Sequence, residues 1–207
     1  MSSIFDAFIL IGGISSRFGS NKAFAAFDGK TLASRAAEMV ERTASPKTVR
    51  FVVRSEEQFD AERLLSLGRG VVADLKPGFG AWSGLHTALA YSSTVWTFVL
   101  ACDLPYASGD LINKLAGLTD DAVDAVVPRQ PDGRLQPLCA FYRRDVVLKE
   151  VERQLADAGR LPRLAGITSA LNTRILEEAE YSELPGSELF FVNINSISDL
   201  PATIAPN

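Results

Sequence analysis

A three-layer α/β sandwich with a mostly parallel sheet is the architecture this sequence predicts, on three observations. β-rich apolar runs alternate with segments whose apolar residues recur at helical spacing. The runs are near-continuously apolar, as strands covered on both faces are. Several end in glycine or aspartate, at the carboxyl ends where open α/β sheets bind ligands.

The first strand spans residues 5–11, and Leu32, Ala36, Met39 and Val40 then recur at helical spacing before a second strand at 49–53, which makes a βαβ unit. A helix is expected at about 56–67, a short strand at 70–73, and a helix at about 83–91 with Ser83 as its N-cap. A buried strand follows at 96–101. Further strands are expected at 125–128, 138–142 and 189–192, with a helical stretch at about 145–158. Residues 43–47 read only as a loop. No repeat, low-complexity tract or linker marks a second unit, so 1–207 is expected to be a single domain.

Composition narrows the function classes. With 47% hydrophobic and 22% charged residues the chain has the makings of a full core. A formal charge of −4 lacks the basic excess of a nucleic-acid or anionic-membrane binder. No apolar run approaches the roughly 20 residues that span a bilayer, and the opening Met1-Ser2-Ser3-Ile4-Phe5-Asp6 has no basic n-region, so a cytoplasmic protein is expected. The two cysteines, Cys102 and Cys139, lack zinc-site spacing and sit in apolar segments, as buried thiols do. His86 stands alone within an expected helix, so neither a hydrolytic triad nor a zinc cluster can be assembled around it.

Chemistry concentrates in Leu10-Ile11-Gly12-Gly13-Ile14-Ser15-Ser16-Arg17-Phe18-Gly19-Ser20-Asn21-Lys22. Two glycines after a strand let backbone come close to a ligand, and successive N–H groups can converge on phosphate oxygens. Ser15 and Ser16 add hydroxyl donors, Arg17 a planar fork and Lys22 a mobile point charge. Neither the Walker spacing nor the Gly-x-Gly-x-x-Gly fingerprint is present. The stretch reads as a nucleotide cradle or, alternatively, as a plain strand-to-helix turn with surface cations.

Arg54, Asp74 and Asp103 follow the second, third and fourth strands, so one crevice gathers them with Gly12 and Gly13. Asp103, in Cys102-Asp103-Leu104-Pro105, is either a turn cap or the lone carboxylate that suffices to recruit Mg²⁺ with a triphosphate. Asp74 divides between a turn role and contact to a nucleotide or metal. The glycine-rich 74–85 segment is a loop able to close on a substrate, or an ordinary connection in which Trp82 packs. Ser196 and Asp199 have a capping-box-like spacing, and Asn193 and Asn195 are expected on one strand face, where their amides either bind a polar substrate or are satisfied within the fold.

In this order the segments resemble the molybdenum cofactor guanylyltransferase family, the MobA-like nucleotidyltransferases. Its Leu-Ala-Gly-Gly-x-Ser-x-Arg-Met-Gly-x-x-Lys signature is similar to Leu10 through Lys22. Cys102-Asp103-Leu104-Pro105, Pro137-Leu138-Cys139-Ala140-Phe141-Tyr142 and the stretch from Asn193 to Leu200 resemble three later family elements. The resemblance implies a Rossmann-like nucleotidyltransferase fold that joins GMP from GTP to molybdopterin-bound molybdenum cofactor and releases pyrophosphate. It implies that Leu10, Ile11, Gly12, Gly13, Lys22, Asp74 and Asp103 bind the nucleotide. It also implies that Asp103 carries Mg²⁺ and that Arg17 and Lys22 stabilise the leaving pyrophosphate. A molybdoenzyme or chaperone would receive the product. The family's Gly-Pro-Leu-x-Gly loop is replaced by Gly80-Ala81-Trp82-Ser83-Gly84, and Arg54 stands near a frequent family asparagine. CTP-dependent and sugar-phosphate transferases of the same fold, and a non-catalytic nucleotide-binding relative, are the alternatives.

Overall fold

The computed structural model describes residues 4–13, 22–43, 46–157 and 161–199. In chain order the strands are β1 (Phe5–Leu10), β2 (Ala26–Phe27), β3 (Lys30–Thr31), β4 (Pro46–Val53), β5 (Gly70–Ala73), β6 (Trp96–Ala101), β7 (Ala125–Pro128), β8 (Cys139–Arg143) and β9 (Thr173–Leu176). The helices are α1 (Leu32–Glu41), α2 (Ala61–Ser66), α3 (Ala81–Tyr91), α4 (Gly109–Ala116), α5 (Arg144–Ala156) and α6 (Glu178–Tyr181). Seven strands form one sheet in the order β5-β4-β1-β6-β8-β7-β9, in which only β8 runs antiparallel to its neighbours. The expected three-layer sandwich is therefore present.

Side-chain alternation explains the layers. Along β1, Phe5, Ala7 and Ile9 enter one core with Ala33, Ala36 and Val40 of α1 and Leu111, Ile112 and Leu115 of α4. Phe8 enters the opposite core, with Trp82, Leu85 and Leu89 of α3 and Val147 and Val151 of α5. A strand buried on both faces gains from every residue, so an unbroken apolar run is the correct signature. The small β2–β3 hairpin turns on Asp28 (φ 51°) and Gly29 (φ 76°), as a two-residue primed turn requires. Thr31 then caps α1, its hydroxyl accepting the Ser34 N–H at 3.1 Å.

Several expectations are corrected. The helix expected at 56–67 is a 3₁₀ turn (Glu56–Gln58) followed by α2, divided at Phe59 and Asp60, both extended. β4 begins at Pro46, three residues early, in what read as loop. Helix α4 and strand β9 have no counterpart among the expected elements. The strand expected at 189–192 does not exist: Gly186 (φ 75°) leads into a 3₁₀ turn at Ser187–Leu189, and the Val192 N–H donates to the Leu189 carbonyl. Phe190 and Phe191 are both buried, packing around Tyr181, while Leu189 and Val192 are exposed. Two adjacent buried residues between two exposed ones fit a tight turn, whereas a one-sided strand would alternate.

Candidate active site

The sheet's carboxyl edge opens into a cavity of about 370 Å³. Its walls include Leu10, Ile11, Gly12, Gly13, Lys22, Arg54, Asp74 and Asp103, so seven predicted nucleotide-binding positions and Arg54 come together. The ladder beyond each strand's end aims them. The Ile11 N–H donates to Val52, Asp74 N–H to Val53, Cys102 N–H to Leu10 and Ala101 N–H to Leu138. Strands β5, β4, β1 and β6 thus deliver Asp74, Arg54, Gly12 and Asp103 to one rim.

Gly12 is required by close approach. A Cβ there would lie 2.8 Å from the Arg54 backbone nitrogen and 3.2 Å from the Val53 carbonyl carbon. At Gly13 an added carbon meets nothing within 4 Å among the described residues. Gly12→Ala is expected to cost roughly 1–3 kcal/mol by prising β1 from β4, or about 5 °C in Tm for a chain of this size. Gly13→Ala is expected to melt like the native protein, and a thermal melt of the pair measures the difference.

Lys22 and Asp103, far apart in sequence, meet on the cavity wall. The ammonium Nζ donates to Asp103 Oδ2 at 2.6 Å and to the Ile194 carbonyl at 3.3 Å, and the Ile194 N–H returns a bond to the Asp103 carbonyl at 3.0 Å. Ile194 itself is buried against Phe27 and Leu32. The late segment is thereby anchored beside Asp103. Asn193 and Asn195 flank this anchor but are not on a strand face, which corrects that expectation. The Asn193 amide donates to the Phe191 carbonyl at 3.2 Å, and the Asn195 N–H to Asp199 Oδ2 at 2.8 Å; neither residue lines the cavity. Asp199 also accepts the Ser196 N–H, the acid half of the expected capping box. Arg17, Ser15 and Ser16 lie outside the described residues.

On the opposite side, burial pushes the Asp74 carboxyl up to about 6, against the pull of the Thr87 hydroxyl, 3.4 Å from Oδ1, and the positive charge of Arg54. Thr87 is one of two fully buried hydroxyls on α3 that hold the 74–80 loop. Its Oγ1 accepts the Leu75 N–H at 3.0 Å. Ser83 Oγ, one helical turn earlier, accepts the Phe79 N–H and donates to the Lys76 carbonyl. This role replaces the expected one, because Gly80 occupies the N-cap position and Ser83 lies inside the helix. Sequence reasoning missed Thr87, although two hydroxyls four residues apart in an apolar helix are a visible signal. Trp82 packs in the core and donates its indole N–H to the Pro162 carbonyl at 3.0 Å.

Both cysteines are buried as expected, and burial raises each thiol to about 12, so Cys102 borders the cavity as an inert thiol. His86 is buried on α3, with Nε2 3.7 Å from Glu152 Oε1, and burial pushes its pKa down, consistent with a structural role. No group of three or more His, Cys, Asp or Glu side chains among the described residues forms a metal cage. No helix among them is long and apolar enough to cross a membrane.

The MobA-like NTP transferase domain family matches residues 7–174. A molybdenum cofactor guanylyltransferase of Desulfosudis oleivorans is 31% identical over 193 residues, covering 93% of this chain and 90% of that protein. The crystal structure of molybdopterin-guanine dinucleotide biosynthesis protein A from Archaeoglobus fulgidus superposes with a TM-score of 0.76 at 26% identity, covering 94% of each chain. The 4-diphosphocytidyl-2C-methyl-D-erythritol synthase of Anaerococcus prevotii shares the fold at 12% identity, with a TM-score of 0.68 over 96% of this chain and 93% of that one. A matched span that carries both the glycine turn and Asp103, with relatives aligned along nearly their whole length, makes this chain a member of the MobA-like NTP transferase family.

Proposed function

We propose that this chain, acting as a single nucleotidyltransferase domain in the cytoplasm, transfers GMP from GTP to molybdopterin-bound molybdenum cofactor, releasing pyrophosphate. The observation that carries the reading is one cavity at the sheet's carboxyl edge with the Gly12-Gly13 turn, Lys22 and Asp103 on its walls. The names of the aligned relatives support the choice of base and acceptor.

Attack by the cofactor's terminal phosphate on the α-phosphorus of GTP needs positioning and charge neutralisation rather than a protein nucleophile. Leu10, Ile11, Gly12 and Gly13 form the wall against which the nucleotide lies. Lys22 exchanges its Asp103 contact for phosphate oxygens, and Arg17 is the second cation for the leaving pyrophosphate. Asn193 and Asn195, held by the Ile194 anchor, are the acceptor contacts.

Asp103 fits Mg²⁺: it is a single, partly exposed carboxylate on the cavity wall, and this ion takes one or two carboxylates together with substrate phosphates. When bound, the ion supplies charge neutralisation at the phosphate oxygens. The product passes to a molybdoenzyme or chaperone.

Pyrophosphate release with Mg²⁺ and molybdenum-loaded molybdopterin, offered GTP, CTP, ATP and UTP separately, tests the reading. Release with GTP alone is expected. Release with CTP moves the chain to cytidylyl transfer, and silence with all four removes this acceptor. Asp74 adds a pH signature. With its carboxyl raised to about 6, the ionised acceptor is lost as pH falls through 6. Nucleotide affinity is therefore expected to weaken up to about tenfold per pH unit below that point and to level off above it. Calorimetric titration from pH 5 to 8 measures this, and Asp74→Asn is expected to flatten the profile.

A further inference from the structure

We propose that Arg54 is the residue that selects the base, its guanidinium reading the O6 and N7 edge of guanine. The proposal rests on the guanylyl-transfer reading above and adds to it a residue and an atomic contact.

From Asp74 beyond β5 to Asp103 beyond β6, the rim crosses three strand intervals. At 4.7–4.9 Å per interval this is about 14 Å, the scale of an extended nucleoside triphosphate from base to terminal phosphate. Lys22 and Asp103 mark one end. A nucleotide whose phosphates take that end delivers its base to the other, where Arg54 and Asp74 stand.

The two residues there match guanine in kind. Guanine presents two acceptors, O6 and N7, on one edge, and the paired donors N1–H and 2-amino on the adjacent one. A guanidinium fork is complementary to the first edge and an ionised carboxylate to the second. Adenine carries an amino donor in place of O6, which sets donor against donor, and pyrimidines have no N7. Arg54 suits the task on three further counts. It lines the cavity, it takes part in no ion pair among the described residues, and it lies near enough to Asp74 to pull that carboxyl's pKa down. Its root is fixed, because the Gly12 backbone packs against it and its N–H donates to Gln58 Oε1 at 2.6 Å. A plain surface cation would need neither the cavity position nor the rigid root.

The test is calorimetric binding of GTP, CTP and 7-deaza-GTP, which differs from GTP only in lacking N7, to the native protein and to Arg54→Leu. The native protein is expected to bind 7-deaza-GTP about fivefold more weakly than GTP, the loss of one of two bonds. Arg54→Leu is expected to bind GTP about ten- to a hundredfold more weakly and to bind 7-deaza-GTP equally, while its thermal melt is unchanged because the side chain is exposed. ITP, which lacks only the 2-amino group, is expected to show the same loss relative to GTP in both proteins. If Arg54→Leu keeps the native ratio between GTP and 7-deaza-GTP while GTP still outbinds CTP, Arg54 is a bystander and the guanine reading stands. If the native protein does not prefer GTP to CTP, the guanine reading and this inference fall together.

Discussion

Asp103→Asn is expected to slow GMP transfer by about a thousandfold while leaving a folded protein that still binds nucleotide. A metal-assisted phosphoryl step draws several kcal/mol from charge neutralisation at the phosphate oxygens, and each 1.36 kcal/mol is a factor of about ten in rate. Asparagine keeps the shape and can still accept from Lys22, so the neighbourhood survives. The backbone bond from the Ile194 N–H to the Asp103 carbonyl is indifferent to the side chain. The lost ion pair is partly exposed on both sides, at 18% for Lys22 and 20% for Asp103, which limits the stability cost to about 1 kcal/mol. Pyrophosphate release, a thermal melt and calorimetric GTP binding without divalent ions separate these effects. Binding is expected to be no weaker than native, because Lys22 no longer has a carboxylate to leave. An unchanged rate would remove Asp103 from the metal-binding role.

The largest stability effect is expected at the other end of β1. Asp6 is fully buried, and it accepts the Ser93 N–H at 2.6 Å, the Ser93 hydroxyl at 2.9 Å and the Thr48 hydroxyl at 2.7 Å. Burial pushes its carboxyl up, but these donors and the Arg50 charge outweigh it and hold the pKa below the ordinary value. Asp6→Ala removes the acceptor of the Ser93 N–H and of three hydroxyls, those of Thr48, Ser93 and the buried Ser92, so a loss of about 3 kcal/mol is expected. For a chain of this length that is about 10 °C in Tm. The pH dependence follows from the sign of the shift. A depressed folded pKa gives stability that is fully present above the ordinary carboxylate value near 4, and that is lost as pH falls through the lower folded value. The native protein is therefore expected to lose stability at the acid end, and Asp6→Ala to lose less there. Denaturant melts between pH 2 and 7 measure both. Activity below the melting range is expected to be unchanged, since Asp6 lies at the end of β1 remote from the cavity.

Much of the site was legible because parallel sheets converge their carboxyl ends. Knowing that 5–11, 49–53, 70–73 and 96–101 are strands was enough to bring Gly12, Arg54, Asp74 and Asp103 to one rim. Less was legible where local pattern is ambiguous. Leu189-Phe190-Phe191-Val192 has strand composition, but the left-handed Gly186 and the packing of both phenylalanines around Tyr181 turn it into a tight corner. β9, with the polar start Thr173-Arg174, is an edge strand whose pairing with β7 supplies the stability its composition lacks. α4 is an eight-residue helix capped by Ser108, whose hydroxyl accepts the Leu111 N–H.

By itself the sequence determined the alternation of strand and helix, the burial of both sheet faces and the residue types at each strand's end. These follow from side-chain periodicity and backbone permissiveness, which act over a few residues. Tertiary structure alone decided that Lys22 meets Asp103, that Ile194 anchors the late segment beside them, and that Ser83 and Thr87 hold the 74–80 loop. Those partners are separated by as many as 172 residues. Their contacts exist only once the sheet has paired, because distance in space, not spacing along the chain, sets the strength of a hydrogen bond or a charge pair.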